Sequence, residues 1–157
     1  VSSRPSLGQL LRRRTYTSSL RFFRRSPVRR LEKAGDVDGL IALLQSGSTD
    51  EREDAANALA RFPEAEDALI AALSDPENGV RGQAIWALGE LGSKRAFGQI
   101  ADFLYDRDPF LRVFAVNALA WIDHAQSVEL VRPLAHDEDD LVRDQVRMTL
   151  EGPPARV

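Results

Sequence analysis

Small and apolar residues recur along this chain at helical spacing, and the whole pattern returns after about thirty residues. Residues 75–92 read DPENGVRGQAIWALGELG: a turn, an arginine near a helix start, then a helix rich in small residues that ends at glycine. Arg52, Arg81, Arg112 and Arg143 stand at the same point of four copies, 29, 31 and 31 residues apart. Three residues beyond each come Ala55, Ala84, Ala115 and Val146, and seven beyond come Leu59, Leu88, Leu119 and Leu150. Six before stand Ser46, Asp75, Asp106 and Asp137. A fixed period of this length built from helical segments is the mark of a helical solenoid, in which each unit buries its apolar face only against its neighbours.

The pattern divides the chain into a basic N-terminal segment with a capping helix (1–35), four two-helix repeats (36–63, 64–92, 93–122 and 123–152) and a short tail (153–157). Asp36 is expected to cap the first repeat's first helix, and Thr49 or Asp50 its second. Pro63, Gly92 and Gly152 mark helix ends, and Pro133 is expected to bend or end the helix that contains it. The fold class is all-α: an α-solenoid preceded by a basic, partly helical segment.

Charge adds an asymmetry. Residues 1–30 hold nine arginines and no acid, whereas residues 31–157 hold 12 basic and 24 acidic residues. Arg12, Arg13, Arg14, Arg21, Arg24, Arg25, Arg29 and Arg30, interleaved with Leu20, Phe22 and Phe23, could grip nucleic acid by phosphate contact and stacking. The same composition suits an anionic membrane surface or an organellar targeting peptide. It equally suits a cap, with the apolar residues covering the first repeat's open face and the arginines facing the acidic body. Two lysines against 19 arginines, with 14 aspartates, fit either a protein adapted to concentrated salt or a genome favouring arginine codons. There is no cysteine, which removes disulfides and thiolate chemistry and fits a cytoplasmic location.

Residues 75–76 followed by Val80, Arg81, Ala84, Ala87, Leu88 and Gly89 closely resemble the HEAT-like repeat of the phycobilisome-lyase type. Asp106, Leu111, Arg112, Ala115, Ala118 and Leu119 match it again; Asp137, Val142 and Arg143 match in part, as do Arg52, Ala55, Ala58 and Leu59. The resemblance covers about residues 36–152. It implies two antiparallel helices per repeat, stacked into a curved rod whose second helices line the concave side. The family holds lyases, hydroxylases and many binding scaffolds, so it specifies the fold and leaves the activity open.

An arginine in a helix's first turn opposes the macrodipole and needs oxygen partners nearby. Arg52, Arg81, Arg112 and Arg143, with Asp75, Asp106 and Asp137, therefore read as a structural ladder. No catalytic, cofactor-binding or metal-binding constellation is found. His124 and His136 fall between helices, no HExxH is present, and the His-Glu pairs that the di-iron hydroxylases of the family place on their helices are missing. The acidic run 137–140 reads as a solvated turn.

Positions two, five and nine after each arginine lie on a different side from the core positions. They are Asp54, Asn57 and Arg61; Gln83, Trp86 and Glu90; Phe114, Asn117 and Trp121; Gln145 and Met148. A mostly polar stripe carrying three aromatics fits a partner-binding groove made of Gln83, Trp86, Glu90, Phe114, Asn117 and Trp121. Its bland counterpart is that the aromatics wedge between neighbouring helices as core. The expectation is a non-catalytic scaffold or adaptor that binds a protein on the concave face. The alternative is a nucleic-acid or anionic-surface binder acting through the arm, and a lyase or oxidoreductase stands on family analogy only.

Overall fold

The computed structural model describes residues 27–152, and the arm before Pro27 and the tail after Gly152 lie outside the described residues. The described residues form helices joined by short turns, with no strand among them. A capping helix α1 (Pro27–Ala34) is followed by α2 (Val37–Ser46) and α3 (Thr49–Leu59). Next come α4 (Glu66–Ala72), α5 (Asn78–Leu91), α6 (Phe97–Asp102) and α7 (Pro109–Ile122), then α8 (His124–Val131) and α9 (Asp140–Glu151).

The ends follow local chemistry. Asp36 accepts a hydrogen bond from the Gly39 N–H at 2.9 Å and starts α2. Ser48, rather than Thr49 or Asp50, starts α3. Its hydroxyl accepts from the Glu51 N–H, and the Glu51 carboxylate returns the contact to the Ser48 N–H at 2.9 Å. This reciprocal capping box satisfies two orphan donors at once. Pro133 acts as its ring requires: α8 stops at Val131 and a 3₁₀ turn from Arg132 to His136 carries the chain on. Gly35 and Gly92 close their helices at φ of 65° and 68°, where only glycine sits without strain.

The second helix of each repeat packs directly on the next, in the order α3, α5, α7, α9. The first helices touch one another far less, and among them only α2 and α4 make more than slight contact. A row packed closely on one side and loosely on the other curves toward the close side, so the second helices form the inner arc. What lets them approach is the lack of side chain at their contact. A Cβ added to Gly89 would lie 2.8 Å from both Cα and Cβ of Ala118, and one added to Gly82 would lie 3.1 Å from the Phe114 ring. Ala55, Ala84, Ala87, Ala115 and Ala118 are fully or almost fully buried, and Leu59, Leu88, Leu119 and Val146 fill the space behind them.

Gly89→Ala should therefore destabilise by about 1–3 kcal/mol, because overpacking outweighs the gain in helix propensity. Gly98→Ala in α6, where an added Cβ meets nothing within 4 Å, should stabilise by about 0.5–1 kcal/mol. Urea denaturation of the two variants should move the midpoint in opposite directions.

Candidate functional site

The arginine ladder lies along the edge where each first helix turns into its second. The turn itself is an Asx turn made three times over: Asp75 Oδ1 accepts from the Glu77 N–H at 2.9 Å, Asp106 Oδ1 from Asp108 at 2.8 Å, and Asp137 Oδ1 from Asp139 at 2.9 Å. Each arginine reaches back over its turn. Arg81 donates to the carbonyls of Asp75 and Pro76 at 2.7 and 3.0 Å, Arg112 to that of Asp106 at 2.8 Å, and Arg143 to those of Asp137 and Glu138 at 2.6 and 3.0 Å. Arg52 donates to Gly47 at 3.0 Å.

The rungs between repeats alternate. Arg52 grips the Asp75 carboxylate with two bonds, 2.9 and 3.1 Å, and Arg112 reaches Asp137 at 2.7 Å. Asp106 accepts from its own turn, and there the repeats are tied instead by Asn78 donating to Asp108 at 2.7 Å. Arg81 and Arg143 bond Asn78 and Asp140 on their own helices. Burial pushes the Asp75 and Asp137 carboxyls upward, but the hydrogen bonds from Arg52 and Arg112, together with the turn N–H donors, outweigh it and hold both below the usual carboxylate range.

The opposite edge, where each second helix leads into the next repeat, uses other pairs. Ser93 and Arg95, at the head of α6, bond the two oxygens of Glu66 at 2.6 and 2.9 Å. His124 opens α8 and donates through Nε2 to the Thr149 carbonyl at 2.9 Å, so it ties α8 to α9, whereas His136 lies exposed at the end of its turn.

The stripe at positions two, five and nine divides in the middle of the array. In α3 and α5 it stays open: Asn57, Arg61 and Glu90 are exposed, and Asp54, Gln83 and Trp86 are half-buried. In α7 it is closed, and in α9 Gln145 is buried while Met148 is 56% exposed. Phe114 is 9% exposed, Trp121 8%, Asn117 4% and Gln145 4%. Phe114 lies over Gly82 and Trp121 over Gly89, each filling the space that a missing side chain leaves one repeat earlier. Asn117 accepts from Gln145 Nε2 at 2.7 Å, so these two polar groups satisfy one another in the core. Phe114, Asn117 and Trp121 are therefore corrected from surface stripe to inter-helix wedge. The signal for this is in the sequence: glycines one and eight residues after Arg81 face aromatics two and nine residues after Arg112.

Trp86 is the aromatic that keeps an open face. It meets Phe114 edge-on at 6.2 Å between ring centroids and Trp121 at 4.5 Å, with interplanar angles of 85° and 79°. Both are favourable T-shaped contacts that fix the indole in place. One turn further along α5, at Glu90, a cleft of about 330 Å³ runs between α1, α3 and α5, with Val28, Ala58 and Ala60 on its walls and Arg29, Glu32, Asp54, Asn57 and Arg61 around it. Burial, then the neighbouring Asp50 charge, pushes the Asp54 carboxyl up, and Glu53 is pushed up by burial, Asp50 and Asp54. A second, wider cleft of about 590 Å³ lies on the ladder edge between Tyr105, Arg107, Pro133 and His136. Arg12, Arg13, Arg14, Arg21, Arg24 and Arg25 lie outside the described residues, and Arg29 and Arg30 are exposed on α1.

This arrangement defines an α-solenoid whose inner helices carry a narrow open stripe. The HEAT repeats family model matches residues 37–109 and 66–151, and the chain belongs to that family, with repeats of the phycobilisome-lyase HEAT-like type. It is 31% identical over 137 residues to the Uncharacterized phycocyanin operon protein Z of Pseudanabaena tenuis (strain PCC 7409), covering 78% of this chain and 68% of that protein. Among solved structures it is similar to a crystal structure of an engineered protein from the Northeast Structural Genomics Consortium, with a TM-score of 0.57 and 24% identity, covering 79% of this chain. The chain spans 64% of that engineered protein, and the likeness shows the fold alone. HEAT repeats in general mediate protein interactions through such curved surfaces.

The Arg112–Asp137 rung carries a pH signature. Asp137 is held below its ordinary value of 3.8, so its contribution to stability is complete above that value and is lost as pH falls through the folded-state value. Asp137→Asn should cost about 1–3 kcal/mol at neutral pH and flatten the stability profile below pH about 4. Urea midpoints measured from pH 2 to 7 check both effects.

Proposed function

We propose that this chain is a non-catalytic scaffold that binds a protein partner along the open part of its inner stripe, with Gln83, Trp86 and Glu90 at the centre and Asn57 and Arg61 beside them. The observation that carries this reading is the half-open Trp86, held edge-on by Phe114 and Trp121. A rigid, part-exposed indole loses little conformational freedom on binding and offers apolar area, which is what an interface anchor requires. Gln83 and Glu90 flank it at the same helical face and supply the polar rim.

Phe114, Asn117 and Trp121 serve this surface from behind, as the packing that orients Trp86. The reading also accounts for the division of the stripe. Where the wedge fills α7 the stripe is closed, and apart from Met148 in α9 its open positions lie in the first two repeats.

A pull-down from source-cell lysate tests the proposal. Trp86→Ala should keep its helical circular dichroism while losing the retained partner, with affinity reduced roughly 30-fold or more as for an interface anchor. Trp121→Ala should instead cost about 3–5 kcal/mol of stability. Tyr105→Ala, an exposed change on the ladder edge, should leave capture untouched. Equal capture by the folded Trp86→Ala variant and the parent chain would remove the stripe as the binding site.

A further inference from the structure

One pair of residue types occurs twice on the inner row and is used in two ways. Asn117 stands five residues after Arg112, and Gln145 two residues after Arg143. Their side chains meet across the repeat boundary, both buried, with Gln145 Nε2 donating to Asn117 Oδ1 at 2.7 Å. The same offsets from Arg52 and Arg81 hold Asn57 and Gln83. Here Asn57 is exposed and Gln83 half-buried, and neither side chain makes a hydrogen bond among the described residues. Because α3 packs on α5 as α7 packs on α9, the equivalent positions bring two unpaired carboxamides to one stretch of the inner arc. Trp86, three residues after Gln83, shares that face of α5.

Two neighbouring carboxamides suit a particular ligand chemistry. Each offers a carbonyl acceptor and two N–H donors, the complement of a peptide group's own N–H and C=O. A helical partner has already bonded these groups internally, whereas an extended or polyproline-type segment has not. Main-chain bonds to such a segment supply affinity, and the surroundings read its side chains. The surroundings here are Trp86 and a row of acids. Asp50, Glu53 and Asp54 share the Asn57 side of α3 at helical spacing, and Glu90 stands one turn beyond Trp86 on α5. None of these four acids is in an ion pair among the described residues, and Arg61 beside them is paired with Glu32 at 2.8 Å. Burial, then like charge, pushes the Glu53 and Asp54 carboxyls up, and a cation brought from outside relieves both effects.

Resting on the partner reading above, we propose that the partner presents an extended basic segment: its backbone is bonded by Asn57 and Gln83, an apolar side chain lies on Trp86, and lysine or arginine points toward Glu53 and Asp54. The buried Asn117–Gln145 pair is the closed form of the same device, its amides satisfied by one another and serving the packing of α7 on α9.

A phage-displayed library of random peptides, selected on the full chain, tests this. Enriched peptides, made synthetically, should carry lysine or arginine around an apolar residue. Methylating one backbone nitrogen near that residue should weaken binding about tenfold, read by fluorescence anisotropy. Asn57→Ala and Gln83→Ala, with helical circular dichroism and melting temperature kept, should each weaken binding of the parent peptide roughly three- to tenfold. One of the two should add little once the peptide is methylated, a coupling that a shared hydrogen bond produces. Enriched peptides that are acidic or helical, that tolerate methylation at every position, or that bind both amide variants unchanged would overturn the proposal, as would a selection that enriches nothing. Trp86→Ala separates the two readings. Peptides lost by Trp86→Ala but kept by both amide variants leave the stripe as a binding surface and remove the backbone site, whereas peptides kept by all three variants remove both.

Discussion

The constraint on which the rest of this fold depends is the close approach of α5 to α7. Gly89 leaves so little room above Ala118 that a methyl group would overlap it. That contact sets the spacing of the inner row, and the inner row sets the curvature. It also determines the fate of the aromatics. Once two helices approach this closely at a glycine, the next large side chain on the facing helix must lie across the glycine or push the helices apart. Trp121 and Phe114 lie across. The wedge that removes them from the surface is therefore a consequence of the packing that makes the solenoid, and Trp86 is left standing on top of it.

The second device works on the backbone. A turn between antiparallel helices exposes carbonyls that have lost their helical partners, and a helix start exposes N–H groups. The Asx turn answers the N–H groups, and the arginine, reaching back six residues, answers the carbonyls. The guanidinium's position in the first turn is unfavourable for the macrodipole, and carbonyl oxygens supply the compensation as much as carboxylates do. This explains why the rungs between repeats can alternate. The arginine's first duty lies within its own repeat, and a carboxylate from the next repeat is an addition present at Arg52 and Arg112, while Asn78 and Asp108 bridge the repeats where it is lacking.

What could be read from the sequence follows this division of labour. Period, helix pairing and the family were legible because arginine, aspartate, alanine and leucine are required at fixed offsets in every copy. Helix starts were less so: Ser48 displaced Thr49 and Asp50 because a cap depends on a reciprocal partner at Glu51, not on residue type alone. The stripe was the least legible. An angular argument treats a helix as isolated, but α7 is flanked by α5 and α9 and carries a glycine-matched wedge on one side and the Asn117–Gln145 pair on the other. Its positions two, five and nine therefore face neighbours. In α3 and α5 the same positions stay partly or fully exposed. Reading each repeat's side chains against the glycines one repeat earlier would have separated the two cases.

That separation has a functional side. A solenoid of equivalent repeats offers an equivalent surface along its length, and specificity must come from breaking the equivalence. Here the break falls between the second and third repeats. In the third repeat the inner face is filled and serves stability. Toward the N-terminus it holds a fixed indole, a cleft with an apolar floor, and carboxylates that burial has raised in pKa and that a cation would relieve. The helix that walls this cleft is also the one to which the strongly basic segment is attached. Charge asymmetry along the chain and asymmetry of the inner face thus coincide at one end.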